Sequence, residues 1–143
     1  MKIRVACLED ATALADLSHQ LGYPAAVAEV GRRLERVLAS PEDVVYVAHD
    51  DAQRVSGWIH GARQDLVESE PRCEILGLVV QREQRRRGIA RALVQAVEQW
   101  ASTRGLRLLS VRSAVSRAES HPFYESLGYE RVKSQHVYRK ILS

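Results

Sequence analysis

The chain has 143 residues, 45% of them apolar and 27% charged, with a formal net charge of +3. Those values fit one globular domain over residues 1–143 that buries its own core, and they exclude a disordered or low-complexity chain. No apolar run reaches the roughly 18 residues a membrane span needs, and Met1 to Cys7 lacks the apolar core of a signal peptide. Two cysteines, Cys7 and Cys73, offer neither metal spacing nor a disulfide framework. The expectation is a cytoplasmic protein with no metal and no membrane partner.

Ile3-Arg4-Val5 alternates and predicts a short first strand. Glu9-Asp10 opens a helix with Leu14, Leu17 and Leu21 at helical spacing, ended by Gly22 and Pro24. A second helix from about Ala25 carries Val27, Val30, Leu34, Val37 and Leu38 and stops at Ser40-Pro41. Val44 to Ala48 predicts a strand, Asp50 to Gln53 a turn, and Val55 to Gly61 the hairpin partner. Arg63 to Pro71 is a polar, acidic connection. Cys73 to Val80, apolar on both alternating faces apart from Glu74, predicts a central strand. A helix from about Gly88 to Arg104 shows Ile89, Leu93, Val97 and Trp100 on one stripe and ends at Gly105. Leu106 to Val111 is the next strand, and Ser116 to Leu127 holds a short helix stopped by Gly128. Tyr129 to Ile141 supplies a last strand or strand pair. This order predicts an α/β (α+β) fold: a mixed, mostly antiparallel central sheet with one β-α-β crossover.

The charge is unevenly placed. Arg82, Arg85, Arg86, Arg87 and Arg91 crowd residues 82–91, just after Asp65, Glu68, Glu70 and Glu74. Nucleic-acid binding calls for a basic face with aromatic stacking platforms. Aromatics make up only 6% and none lies among these arginines, so no nucleic-acid partner is expected. A basic cluster beside an acidic one suggests a two-part small-molecule site, the alternative being two solvated surfaces. Strand exit, turn amides and helix N-terminus converge from Glu74 to Trp100, which favours a phosphate there.

Arg85-Arg86-Arg87-Gly88-Ile89-Ala90 resembles the Arg/Gln-x-x-Gly-x-Gly/Ala signature of the GNAT superfamily of N-acetyltransferases. His121-Pro122-Phe123-Tyr124-Glu125-Ser126-Leu127-Gly128-Tyr129 is similar to that family's second motif, and the element order agrees along the chain. The resemblance implies a central strand that splays from the next one and admits acetyl-CoA as co-substrate. The pantetheine arm then bonds the edge of Leu78, Val79 and Val80 like an added strand. Pyrophosphate falls on the amides from Arg86 to Arg91, with Arg85, Arg86, Arg87 and Arg91 adding charge, and Gly88, Ile89 and Ala90 lying in the signature. A side chain at position 88 would hold the phosphate away from the amides. Ala90 replaces the commoner glycine. Many members carry an asparagine after the strand ending at Val111; Ser113 to Arg117 contains none, leaving Ser116 or Arg117 to take its place.

Acetyl transfer to an amine needs a neutral amine, a stabilised oxyanion and a proton for the leaving thiolate. The resemblance makes Tyr124 the general acid and a backbone N–H at Val79 or a neighbour the oxyanion donor. For the base, Glu74 on the central strand ranks first, alternating with Leu76, Leu78 and Val80, which are expected to be buried; a solvent-exposed strand start is its alternative. His60 is the second candidate, and His121 either caps a helix or meets the cofactor. Tyr23, Trp58, His60 and the acidic connection from Asp65 to Glu70 could surround a small cationic amine, a metabolite or an antibiotic-like molecule. A protein or peptide amine, a non-catalytic acyl-CoA sensor and a homodimer stay open.

Overall fold

The computed structural model describes residues 1–20, 22–82, 88–112 and 120–143. Two compact units are distinguished, Met1–Val111 and Arg112–Ser143.

In the first unit the β-branched, alternating segments all become strands: β1 Lys2–Val5, β2 Asp43–His49, β3 Val55–Gln64, β4 Arg72–Val80 and β5 Leu109–Val111. They form one sheet in the order β1-β2-β3-β4-β5. Pairing is antiparallel from β1 to β4 and parallel between β4 and β5. A parallel pair needs a crossover, and α3, Ile89–Thr103, supplies it. The turn between β2 and β3 is built by Asp50, whose Oδ1 accepts the N–H groups of Ala52 and Arg54 at 2.9 Å each.

Each face of the sheet has its own apolar cover. On one side lies α3, with Ile89, Leu93, Val94, Val97 and Ala101 buried. It packs close because β3 presents Gly57 and Gly61: a Cβ at Gly61 would stand 2.7 Å from Val97 Cγ1. Trp100, predicted on the same stripe, is half-buried and carries the Arg104 guanidinium 4.5 Å over its ring. On the other side lie α1, Ala11–Gln20, and α2, Val27–Ala39. Leu14 and Leu34 bury against Val45 and Val47, with Val30, Val37 and Trp58 packed around them.

The start of the chain is held by an ion pair. Asp10 is buried and accepts Arg4 Nη1 and Nη2 at 2.8 and 2.9 Å and the Cys7 N–H at 2.8 Å. The Arg4 hydrogen bonds hold the Asp10 carboxyl below the usual carboxylate range, against the opposing effect of burial.

In the second unit α4, Ser120–Ser126, ends at Gly128, whose φ of +91° suits glycine. Tyr129 N–H then donates to the Tyr124 carbonyl at 3.1 Å. The last strand expected over 129–141 is not formed. Val132, Val137, Tyr138 and Ile141 are between 72% and 94% exposed, and alternation makes a strand only where a neighbouring edge takes the backbone hydrogen bonds.

Candidate active site

β4 pairs with β3 from Arg72 to Val80 but with β5 only at Cys73, Glu74 and Ile75. From Leu76 to Val80 its other edge has no strand partner among the described residues. The register changes at the same point. His60 pairs with Gly77 and Gly61 with Ile75, so Leu76 is an extra residue, a β-bulge. A bulge bends its strand and sharpens the twist, and this one falls directly after Ile75, the last residue of β4 paired with β5. Of the edge groups expected at Leu78, Val79 and Val80, those of Leu78 and Val80 lie on this open side, whereas Val79 stands in a hydrogen-bonded pair with Trp58 and turns its N–H and carbonyl to β3.

The same bulge corrects the alternation predicted for β4. Leu76 is 48% exposed, not buried, and Leu78 and Val80 are half-buried. Glu74 pairs with Ala62, whereas Leu78 pairs with Ile59 and Val80 with Gly57. Successive residues of β3 face opposite sides, so the bulge puts Glu74 on the α1/α2 face and Leu78 and Val80 on the α3 face. Glu74 is half-buried, and its Oε1 accepts the Ser110 hydroxyl at 3.2 Å. It is therefore held inside the sheet and is not a solvent-exposed strand start.

The open edge of β4 leads to the N-terminus of α3. The Val79 carbonyl oxygen and Ile89 Cγ2 stand 3.1 and 3.3 Å from where a Cβ of Gly57 would be, so the end of β4 and the first turn of α3 are neighbours over β3. Gly88 is the residue before the helix, with φ +75° and ψ 9°, and provides no side-chain cap. Its left-handed backbone calls for glycine in its own right, in addition to the room that the sequence emphasised. Among the described residues, the first amide of α3 with a helical partner is Ala92, which donates to the Gly88 carbonyl at 3.0 Å. Ile89, Ala90 and Arg91 thus present N–H groups at the positive end of a helix dipole. Ile89 is only 4% exposed, so its contribution is confined to the backbone; Ala90 is half-buried and Arg91 exposed. Arg85, Arg86 and Arg87 lie outside the described residues, as do Ser116 and Arg117.

On the α1/α2 face a cavity of about 290 Å³ opens between the two helices and the sheet. Tyr23, Trp58 and His60 all line it, as the sequence grouped them. The acidic connection does not: Asp65 is 3.1 Å from Arg63 and Glu70 2.9 Å from Arg107, two surface ion pairs away from the cavity. Trp58 links cavity and open edge. It pairs with Val79 across the strands, and its ring edge covers Gly77. His60 Nε2 lies 2.8 Å from Asp43 Oδ1. Asp43 and Ser110 escaped the sequence reading because only strand register brings them to His60 and Glu74.

In the second unit Tyr124 is half-buried and meets Phe123 and Tyr129 edge-on, with ring centroids 5.1 and 6.0 Å away. His121 sits in the first turn of α4. Cys73 is buried, and desolvation pushes its thiol up to about 11, which leaves it protonated and inert near neutral pH. Among the described residues no group of three or more His, Cys, Asp or Glu could hold a metal ion.

Residues 10–129 match the model of the acetyltransferase (GNAT) family. An aminoglycoside N(6')-acetyltransferase type 1 from Salmonella typhimurium is 26% identical over 109 residues, covering 74% of this chain and 75% of that protein. The fold matches an aminoglycoside 6'-N-acetyltransferase from Acinetobacter haemolyticus with a TM-score of 0.86 at 20% identity over the whole of both chains. It also matches, with a TM-score of 0.87 at 23% identity, a structure in complex with the bisubstrate analogue CoA-S-monomethyl-acetylneamine, over 99% of this chain and 98% of the other.

Proposed function

The chain belongs to the acetyltransferase (GNAT) family, and from that premise we propose that it acetylates a primary amine of a small cationic, antibiotic-like molecule. It is an N-acetyltransferase with acetyl-CoA as donor. The observation that carries the proposal is the edge of β4 left without a strand partner, among the described residues, after Ile75, near the N-terminus of α3. An open strand edge offers hydrogen bonds to the two amides of a pantetheine arm, and a helix N-terminus offers them to a pyrophosphate.

In this reading the pantetheine arm lies along Leu78 to Val80. Pyrophosphate sits on the amides of Ile89, Ala90 and Arg91, and Arg85, Arg86 and Arg87 add charge-assisted bonds. The acceptor enters from the cavity past Trp58. Glu74 takes the ammonium proton through water, and the neutral nitrogen attacks the thioester carbonyl. A backbone N–H next to Val79 on the open side, at Leu78 or Val80, stabilises the oxyanion. The C–S bond then breaks, Tyr124 gives its phenolic proton to the departing thiolate, and the proton shed by the new amide nitrogen passes through water to restore the phenol. We place the enzyme in the cytoplasm, where acetyl-CoA is made and used; no helix among the described residues is long and apolar enough to cross a membrane.

The test is an amine panel with acetyl-CoA, read as release of free thiol. Release with small amines, aminoglycosides among them, supports the reading. Release with peptides alone rejects the small-molecule acceptor, and CoA binding without release from any amine rejects catalysis in favour of an acyl-CoA sensor.

A further inference from the structure

The end of the chain leaves its apolar side chains in water. Beyond the turn that closes α4, Val132, Val137, Tyr138, Ile141 and Leu142 are between 72% and 94% exposed. An apolar surface of that extent marks a place where another molecule settles. From Glu130 to Ser143 no backbone N–H or carbonyl has a backbone partner among the described residues. The geometry is nevertheless that of a strand where it can be read: the His136 and Tyr138 rings, two positions apart, stand 6.4 Å from one another, as on one strand face. The tail is a strand without a sheet.

Each copy of the chain also carries an edge of the kind such a strand joins. β5 is last in the sheet order, and among the described residues only β4 pairs with it. The Leu108 carbonyl turns to β4, where it accepts the Cys73 N–H at 2.9 Å. Successive residues turn their backbone groups to opposite sides, so those of Leu109 and Val111 face away from β4. The other outer strand, β1, is guarded. Its outward Val5 carbonyl accepts Arg4 Nη1 at 3.2 Å, and Lys2 has the same charge as Arg131, Lys133, Arg139 and Lys140 of the tail.

We infer that residues 131–142 of one copy join the sheet of a second copy beside β5, and that the second copy returns its own tail in exchange. Each copy supplies one strand and one edge, so the exchange closes on itself as a two-fold dimer. Reach permits it: at about 3.3 Å per residue the tail spans roughly 40 Å, against a radius of gyration of about 14 Å for a domain of this size. Tail and receiving edge together come to roughly 20 residues a side, the size of a stable interface. Two tails paired with one another would set bases against bases, since residues 131–142 contain no carboxylate. A lipid surface would cover the apolar side chains and leave the extended backbone without hydrogen-bond partners. The exchange stands whether or not the protein transfers acetyl groups.

Sedimentation of the full chain at micromolar concentration should give the mass of a dimer. Amide exchange followed by NMR locates the contact. Leu109 and Val111 should exchange about 100-fold or more slowly than Ile3 and Val5, the outward amides of β1, and the tail should be protected as well. With Tyr138→Asp and Ile141→Asp together, the dimer dissociation constant should rise about 100-fold or more. Leu109 and Val111 should then lose their protection, whereas Ser110, turned to β4, should keep it. A monomer, or a mass beyond the dimer, overturns the inference; a monomer that binds vesicles of anionic phospholipid would assign the tail to a membrane. A dimer in which Leu109 and Val111 exchange as fast as Ile3 and Val5 overturns it too, because the contact then lies elsewhere, as does a doubly substituted chain that dimerises like wild type. Should that chain fail to fold, the mass and exchange pattern of the wild type decide alone.

Discussion

Trp58 stands where a side chain at Gly77 would have to be: a Cβ on Gly77 would lie 2.8 Å from Trp58 Cη2 and 2.9 Å from Cζ3. The glycine is there for the indole, which reaches across from β3 and covers the strand just beyond the bulge. Gly77→Ala must therefore turn the indole. The expected cost is about 1–3 kcal/mol of stability, read as a fall in Tm of several degrees. Acceptor KM should rise more than acetyl-CoA KM, because the indole lines the cavity and not the helix N-terminus. Equal rises in both constants would show that the ring has no particular bearing on the acceptor.

Gly88 is a glycine for a different reason. No atom of the described residues lies within 4 Å of where its Cβ would stand, and its φ is +75°. Gly88→Ala meets no clash among the described residues, so the stability cost expected of it is that of the left-handed backbone, about 1–2 kcal/mol. The added methyl group faces the space assigned to pyrophosphate. The affinity for CoA should fall about tenfold or more, whereas pantetheine, which lacks the pyrophosphate, should inhibit as well as before. Competition assays with the two compounds make the comparison, and a parallel loss for both would remove the phosphate from this helix end.

Asp10 carries the stability prediction that depends on pH. Its folded-state carboxyl is held below the usual value, first by hydrogen bonds from Arg4. A depressed folded pKa contributes stability that is fully present above the unfolded value, about 3.9, and is lost as pH falls through the folded one. Arg4 is about one-third exposed and Asp10 nearly buried, which places the pair between a surface bridge and a buried one. Asp10→Asn should cost about 1–3 kcal/mol at pH 7. Urea titrations at descending pH should show the gap between wild type and variant narrowing below about pH 4. A gap of constant size would mean that the carboxylate charge is not what the fold uses.

Local pattern made most elements legible. Helical spacing of apolar residues placed α1, α2 and α3 within a few residues of their ends, and β-branched alternation located the first four strands. What escaped the sequence was fixed by register. Nothing in Glu74-Ile75-Leu76-Gly77 announces that Leu76 has no partner, yet that one residue reverses the face of everything beyond it. The partners of His60 and Glu74 are 17 and 36 positions away, joined only after β2 has met β3 and the crossover has returned β5 to β4. Gly88 was legible as a glycine that matters, but its backbone angle was not. At the chain's end the alternation from Tyr129 to Ile141 looked like a strand because alternation reports a preference for an edge, not the presence of one.

Glu74 and His60 divide the question of the base between them. Ser110 holds the Glu74 carboxylate from the β5 side, and Asp43 holds His60 at the cavity. A base must be deprotonated to act, so kcat/KM should fall on the acidic side of its profile. In Glu74→Gln the activity should drop about 100-fold and the acidic limb should disappear, whereas His60→Gln should retain the limb. The opposite pattern would move the role to the His60–Asp43 pair, and limbs intact in both variants would leave it to water or the substrate.

Tyr124→Phe isolates a single hydroxyl. The Tyr124 ring contacts, to Phe123 and Tyr129, are made edge-on by carbon, and phenylalanine preserves them. The turn that closes α4 uses the Tyr124 carbonyl, which accepts the Leu127 and Tyr129 N–H groups at 3.0 and 3.1 Å, a backbone contact that the substitution leaves in place. These ring and backbone contacts should therefore persist in the variant. A thiolate leaving without its proton is a poorer leaving group, and loss of a general acid of this kind lowers the rate by roughly 100- to 10,000-fold. The phenol acts only as the C–S bond breaks, so kcat should fall while acetyl-CoA affinity, measured by calorimetry, stays within about twofold. The loss should shrink for acyl donors whose thiol leaving group has a lower pKa, since those need less help from an acid. A variant with wild-type kcat, or one whose deficit is the same for every leaving group, would place the proton transfer elsewhere.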